Sequence, residues 1–282
     1  MAGTAEFTAS WTPVGADRVH ALTARAPGAA GPPVVLVHGY GVSGRYWRPL
    51  ASRLSEWFPV YLPDLPGHGR SSTPAATLAV PGLVEALVAW MTAVGLERAV
   101  ILGNSLGCQV AAELAAHEPE RVLALVLAGP TVDPLARSAG RQCGRLLLSA
   151  PVEHPAILPL ILGDYLRMGV SPLLAELRHM LAHRIERVLP MVSAPTLVLR
   201  GTLDRVAPRR WVEEAAALVQ DGSVAEVPRA GHAAHYSRPG AVAALVTGFL
   251  SRAGEPATAP VRPPPAGGPP PAPTAREPGA RG

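Results

Sequence analysis

The stretch that decides the fold is Ala99-Val100-Ile101-Leu102-Gly103-Asn104-Ser105-Leu106-Gly107. Its first four residues are apolar, as in a buried strand, and the alanine-rich residues 109–116 that follow it favour a helix. A strand, a sharp turn and a helix are therefore predicted, with Ser105 at the apex of the turn. Such a turn exposes the serine hydroxyl and leaves the N–H of Leu106 free at the start of the helix, where a developing oxyanion is favoured.

Strands and helices alternate on both sides of this turn. Short apolar runs typical of buried parallel strands occupy residues 33–37, 59–62, 99–102, 121–128, 195–199 and 223–227, and a partly exposed strand is predicted over 18–25. Segments with helical spacing lie between them. The alternation predicts an α/β fold in which a mostly parallel central sheet is covered by helices on both faces.

The alternation is interrupted between residues 131 and 190, where leucine-rich segments indicate several short helices instead of a buried strand. A helical cap is therefore predicted, inserted after the strand that ends near residue 128. The predicted organisation is an N-terminal extension (1–17), a first core segment (18–130), the cap or lid (131–190), a second core segment (191–252) and a tail (253–282). The tail is rich in proline and has too few large apolar residues to fold, so disorder is expected there.

Composition excludes several classes of protein. The chain has 282 residues, of which 48% are hydrophobic, and this suffices for a large core. Its net charge is +4, but the basic residues are scattered arginines and aromatic residues are only 5%, so no nucleic-acid partner is expected. Prolines interrupt the apolar region 146–162, and residues 1–7 lack the pattern of a secretory signal. We expect a cytoplasmic protein that acts on a small molecule, without a membrane partner.

The two cysteines, Cys108 and Cys143, are far apart in sequence and match no metal-ligand spacing. Neither a metal site nor a disulfide framework is predicted, and no organic cofactor is implied. Cys108 lies three residues after Ser105, but a free cysteine most often packs as a small apolar side chain. We therefore expect packing roles for both.

A serine hydroxyl needs a general base, and the base needs an acid that orients it. Asp204 follows the strand at 195–199, and His232 follows the strand at 223–227, so both are expected at the same edge of the sheet as Ser105. Asp133, just after the strand at 121–128, is the rival acid. His235 is the rival base.

Together these segments resemble the α/β-hydrolase family. The motifs that carry the resemblance are Val37-His38-Gly39-Tyr40-Gly41, residues 64–71 (Asp-Leu-Pro-Gly-His-Gly-Arg-Ser), Gly103 to Gly107, Gly201 to Pro208 and Gly231-His232. The similarity spans residues 18–252. It implies that Ser105 is the nucleophile, Asp204 the acid and His232 the base. It further implies an oxyanion hole formed by the backbone N–H groups of Tyr40 and Leu106, whereas His38 and the 64–71 loop are expected to shape the site without taking part in the chemistry.

The resemblance predicts hydrolysis of a carboxylic ester with an apolar group through an acyl-enzyme on Ser105, because the cap is rich in leucine and isoleucine. Relatives that use an aspartate nucleophile are disfavoured by the serine. Two alternatives stay open. One is a carbon–carbon bond hydrolase for a ring-cleavage product, which arginines of the cap such as Arg137, Arg141 or Arg178 would support as anchors for an acidic substrate. The other is a ligand-binding protein of hydrolase fold with little turnover.

Overall fold

An eight-stranded sheet organises the chain, and the computed structural model describes it over residues 6–253. The strands are β1 (Thr8–Val14), β2 (Asp17–Ala24), β3 (Val34–Val37), β4 (Val60–Pro63), β5 (Ala99–Asn104), β6 (Val122–Ala128), β7 (Thr196–Gly201) and β8 (Gly222–Val227). Their order in the sheet is β1-β2-β4-β3-β5-β6-β7-β8. β2 pairs antiparallel with both β1 and β4, and every other neighbouring pair is parallel.

Ten α-helices are described in residues 6–253. They are α1 (Arg48–Leu54), α2 (Val80–Ala93), α3 (Leu106–His117), α4 (Ala139–Ser149), α5 (Leu158–Met168), α6 (Val170–Ala182), α7 (Ile185–Val188), α8 (Arg209–Leu218), α9 (Ala234–Ser237) and α10 (Pro239–Ala253). Apolar side chains of α2, α3 and α8 pack on one face of the sheet. Those of α1 and α10 pack on the other. The predicted fold class, a mostly parallel sheet covered on both faces, is confirmed.

The sheet begins earlier than the sequence predicted. β1 pairs along its whole length with β2, so residues 8–14, which the sequence places in an N-terminal extension, lie in the sheet. β1 is an edge strand whose first four residues are exposed, so it lacks the apolar run that marks the central strands. The predicted tail at 253–282 lies outside the described residues except for Ala253, which ends α10.

The insertion between β6 and β7 contains helices α4 to α7, as predicted for a helical cap. Many of its leucines point outward: Leu147, Leu148, Leu158, Leu162, Leu166 and Leu174 are 49% to 75% exposed. Within residues 6–253 no single helix is long and apolar enough to cross a bilayer, and only the sharply bent pair 155–168 and 170–182 passes that test as a unit.

The turn between β5 and α3 explains why its two glycines are needed. A Cβ on Gly103 would overlap the carbonyl oxygen of Gly107. A Cβ on Gly107 would in turn overlap the carbonyl oxygen of Val37, in the neighbouring strand β3. Strand and helix therefore pass as closely as backbone atoms allow, and only glycine fits at both positions.

Replacing Gly107 with alanine is expected to lower the free energy of unfolding by about 3 kcal/mol, because the added methyl group meets backbone that cannot move aside. Urea unfolding monitored by circular dichroism measures the change. Gly144→Ala is the matched control, since Gly144 lies in α4 with no atom within 4 Å of its added Cβ. Alanine should stabilise that helix by about 0.5–1 kcal/mol. Equal effects at the two positions would contradict the close approach.

Candidate active site

Ser105 occupies the apex of the turn in a conformation that side chains rarely adopt. Its φ is 57° and its ψ is −119°, and its N–H donates to the carbonyl oxygen of Ala128 at 3.2 Å. Strain of this kind costs on the order of 1–3 kcal/mol and persists only where the surroundings hold it. The Ser105 hydroxyl forms no hydrogen bond with any other residue of the described chain. It lines a cavity instead.

Asp204 and His232 meet at the carboxyl edge of the sheet. His232 Nδ1 lies 2.9 Å from Asp204 Oδ2, and the other carboxylate oxygen accepts the N–H groups of Val206 and Ala207. The Asp204 side chain is fully buried, whereas that of His232 is 11% exposed. Because Asp204 is fixed by its own loop, it orients the imidazole so that Nε2 is left for another partner.

Burial lowers the pKa of His232. The charge of Asp204 and its hydrogen bond raise this pKa by more than burial lowers it, and the charge of Glu153 raises it as well. The net result is a pKa above the ordinary histidine value. A general base must be neutral to accept a proton, so activity that depends on His232 would be lost as the pH falls through this pKa.

The rival residues lie elsewhere. The carboxylate of Asp133 contacts Arg210 at 2.6 Å and Arg145 at 2.8 Å. His235 is completely buried with its ring against Trp47, and burial together with the charge of His232 lowers its pKa to about 3. The structure thus brings Ser105 and His232 to one cavity and bonds Asp204 to His232, while neither rival lines that cavity.

The loop after β3 leaves the N–H of Tyr40 without an acceptor among the described residues. The N–H of Gly39 donates to Tyr46 Oη, and that of Gly41 donates to Glu176 Oε2, both at 2.9 Å. Between them, the N–H of Tyr40 has no acceptor within the described chain, and the same holds for the N–H of Leu106. The two amides predicted to form the oxyanion hole are thus available to a ligand.

Tyr46 and Asn104 connect this loop to the serine turn. The Tyr46 hydroxyl donates to Asn104 Oδ1 at 2.9 Å, and Asn104 Nδ2 donates to the carbonyl oxygen of Ala128. Sequence reasoning assigned no role to either residue, because the partners of Tyr46 lie in other segments of the chain.

Cys108 lies in α3, three residues after Ser105. Burial raises the pKa of its thiol, and its Sγ contacts the Gly103 carbonyl oxygen at 3.2 Å, which fits the predicted packing role.

Three acidic residues of the cap bond to loops of the core, and we name them the cap carboxylates: Glu153, Asp164 and Glu176. Glu176 contacts His68 at 2.7 Å in a buried pair and accepts the Gly41 N–H. Asp164 accepts from the hydroxyl of Ser43. Glu153 accepts backbone N–H groups at residues 232 and 233. The cap is therefore bonded to the same loops that form the site, which the sequence did not predict.

Glu176→Ala is expected to lower the free energy of unfolding by about 3–5 kcal/mol at pH 6, since it leaves a buried imidazolium without a partner. Burial lowers the pKa of His68, but the charge of Glu176 and its hydrogen bond raise it by more than this, so the pKa lies above the ordinary histidine value. The contribution of the pair is thus complete below the ordinary histidine pKa and disappears as the pH rises through the folded-state pKa.

Urea unfolding at pH 6 and pH 9 tests this prediction. The difference between wild type and variant should be larger at pH 6. Glu213→Ala, which removes an exposed pair with Arg209 on α8, should change stability by less than about 0.5 kcal/mol at either pH. A pH-independent loss in Glu176→Ala would contradict the role of the charged pair.

Ser105 and His232 line a cavity of about 160 Å³ beneath the cap. Its apolar wall comes from the cap residues Leu146, Ile157, Ile161, Tyr165, Leu177 and Met180. Arg137, Arg141 and Arg178 do not line it. Arg137 instead bonds to Glu186 and to the carbonyl oxygen of Leu181. The charged cap residue in the wall is an acid, Glu153.

A model of the alpha/beta hydrolase family matches residues 34–245. The chain belongs to the alpha/beta hydrolase family. A pimeloyl-acyl-carrier-protein methyl ester esterase of Stenotrophomonas maltophilia is 29% identical over 78% of this chain and 93% of its own length.

This alpha/beta hydrolase is also similar in sequence to a bifunctional protein and in structure to a phospholipase. The biotin biosynthesis bifunctional protein BioHC of Cellvibrio japonicus is 29% identical over 77% of this chain, which spans only 47% of that protein. The crystal structure of a membrane phospholipase A described as a bacterial virulence factor superposes with a TM-score of 0.74 at 27% identity, over 88% of this chain and 86% of the other.

Proposed function

We propose that this alpha/beta hydrolase is a serine hydrolase that cleaves a carboxylic ester with a small apolar group. The observation that carries the proposal is the cavity shared by Ser105 and His232, with Asp204 bonded to His232 and two unpaired amides beside it. A strained serine, a base held by a buried acid and free N–H donors are the parts that acyl transfer requires. The names of relatives, an ester hydrolase among them, support the same class.

In this mechanism Ser105 Oγ attacks the ester carbonyl carbon while His232 Nε2 takes the hydroxyl proton. The carbonyl oxygen becomes an oxyanion that accepts hydrogen bonds from the N–H groups of Tyr40 and Leu106. Asp204 stabilises the imidazolium. The alcohol leaves with the proton of His232, and water, deprotonated by the same imidazole, releases the acid and restores Ser105. Each oxyanion donor contributes about 100- to 1000-fold in kcat.

The cavity limits the size of the acyl or alcohol group. An apolar cavity of about 150 Å³ holds one benzene molecule, so the 160 Å³ of this cavity, which is open to solvent on one side, accommodates a group of about six carbons inside it. Activity should therefore be highest with short acyl chains. The carbon–carbon hydrolase alternative lacks support, because none of the three arginines considered as anchors lines the cavity.

A series of 4-nitrophenyl esters from acetate to dodecanoate tests this function, with Ser105→Ala as the control. We expect kcat/KM to reach its maximum near the butyrate or hexanoate ester. A fluorophosphonate probe should label the wild type and not the variant. A folded wild-type protein that neither hydrolyses these esters nor reacts with the probe would leave the ligand-binding alternative as the better description.

A further inference from the structure

Glu153 reaches from the cap to the loop that carries the general base. It follows the single turn after α4, and its carboxylate accepts the backbone N–H of His232 through Oε1 and that of Ala233 through Oε2 at 3.1 Å. Hydrogen bonds to a carboxylate are about twice as strong as those between neutral groups. The backbone at His232 is thus held by a residue that is remote in sequence.

The preceding residue makes room for this contact. A Cβ on Gly231 would overlap Glu153 Oε1, so the carboxylate lies directly against the glycine backbone. The backbone of Gly231 is itself buried. A larger residue at position 231, part of the Gly231-His232 motif, would push the Glu153 carboxylate away from its present position.

The contact geometry favours the charged form of Glu153. Each carboxylate oxygen accepts a different backbone N–H, and hydrogen bonds donated to a carboxylate stabilise its ionised state. Burial and the charge of Asp204 raise the pKa of Glu153 more than the charge of His232 and the two N–H groups lower it, so the net result is a pKa above the ordinary glutamate value. The titratable groups facing His232 are Asp204 from the loop after β7, Glu153 from the cap and the neutral His235 beneath.

Glu153 also lines the active-site cavity. A fixed negative charge in a small, mostly apolar cavity repels a carboxylate on the substrate, because like charges placed close together disfavour binding. The same residue can therefore act on the base and on the choice of substrate.

We propose that Glu153 is a positioning residue for His232 and that its charge excludes substrates that place a carboxylate in the cavity. This inference rests on the proposed ester hydrolysis. It assigns to the cap two roles in that reaction beyond covering the cavity: fixing the base and discriminating by charge.

The first test follows the His232 imidazole by NMR titration in the wild type, Glu153→Gln and Glu153→Asp. Loss of the negative charge should lower the pKa of His232 in Glu153→Gln, whereas Glu153→Asp, which keeps the charge, should stay closer to the wild type. Glu186→Gln is the control, since it removes a cap carboxylate that bonds to Arg137 and not to this loop. An unchanged pKa in Glu153→Gln would overturn the proposal, whether or not the protein hydrolyses esters.

The second test compares two esters of equal chain length, 4-nitrophenyl butyrate and the 4-nitrophenyl half-ester of succinate. Glu153→Gln should lower kcat for the butyrate between about ten- and a hundred-fold, with little change in KM, because a base displaced by about 1 Å loses this much. The preference for butyrate over the anionic ester should fall at least tenfold. Glu153→Asp should keep the preference while losing kcat.

These results separate the inference from the function on which it rests. A wild type that is not labelled by the fluorophosphonate probe refutes the proposed ester hydrolysis, and the NMR titration then still decides whether Glu153 acts on His232. A labelled, active wild type whose kcat and substrate preference survive Glu153→Gln unchanged refutes the inference alone. Thermal unfolding of each variant confirms that the measurements concern folded protein.

Discussion

Ser105→Ala is expected to lower kcat for a short-chain 4-nitrophenyl ester by about 10⁶-fold. Without its nucleophile the site keeps only the oxyanion donors and substrate binding, which together leave about 10³- to 10⁴-fold acceleration over water. KM should change little, since the hydroxyl makes no hydrogen bond within the described chain and the apolar wall of the cavity is untouched. Steady-state kinetics at high enzyme concentration measures the residual rate.

The same substitution should not harm folding, because alanine removes only a hydroxyl that points into the cavity. Its free energy of unfolding, measured in urea, should match that of the wild type to within about 0.5 kcal/mol. Cys108→Ala serves as the comparison, since the Cys108 thiol lies in α3, three residues after Ser105, and has no assigned chemistry. The assignment of the nucleophile would be contradicted if Cys108→Ala lost as much activity as Ser105→Ala. Substantial turnover by Ser105→Ala would contradict it too.

Asp204→Asn is expected to lower kcat by about 10⁴-fold while preserving the shape of the site. The amide no longer stabilises the imidazolium, and it favours the tautomer that places the proton on the wrong ring nitrogen. Since Asp204 raises the pKa of His232 against the effect of burial, its loss should also lower that pKa. The acid limb of the kcat/KM profile should then move to lower pH.

Asp133→Asn distinguishes the two candidate acids. Asp133 carries the same chemical group near the same edge of the sheet, but its partners are Arg145 and Arg210. We expect this variant to lose stability and to retain kcat within about tenfold of the wild type. If Asp133→Asn lowers kcat as much as Asp204→Asn does, the assignment of Asp204 as the acid is wrong.

The fold was predictable because its central strands are short, apolar and buried on both faces. β3 and β5 are buried at every residue, so their sequences lack polar interruptions and stand out from the rest. The serine turn was visible for a related reason, since Gly103 and Gly107 are required by backbone contacts that no other residue tolerates. β1 was missed because an edge strand with exposed side chains has no such pattern.

The details of the site were only partly predictable. Asp204 and His232 follow strands, so the rule that parallel strands end at one edge of the sheet was enough to place them together. The cap carboxylates follow no such rule. Glu176 meets His68 across more than a hundred residues of chain. His68 lies in the 64–71 motif, but nothing in the local sequence of Glu176 distinguishes it from an ordinary helical residue.

The leucines of the cap show the same limit. The richness of the cap in leucine indicated an apolar substrate group. Leu146 and Leu177 line the cavity, whereas Leu147, Leu162 and Leu166 are exposed and do not line it. Which of these applies to a given leucine depends on how the short helices turn relative to one another, and periodicity within each helix does not determine this.

The cap carboxylates have a consequence for protein engineering. A cap grafted from another hydrolase would have to supply an acceptor for the Gly41 N–H, another for the N–H groups at residues 232 and 233, and a partner for His68. Without them, a chimera would leave buried donors unpaired in both loops of the proposed site. Designs that keep residues 153, 164 and 176 while varying the leucines between them should alter which substrates enter and still fold.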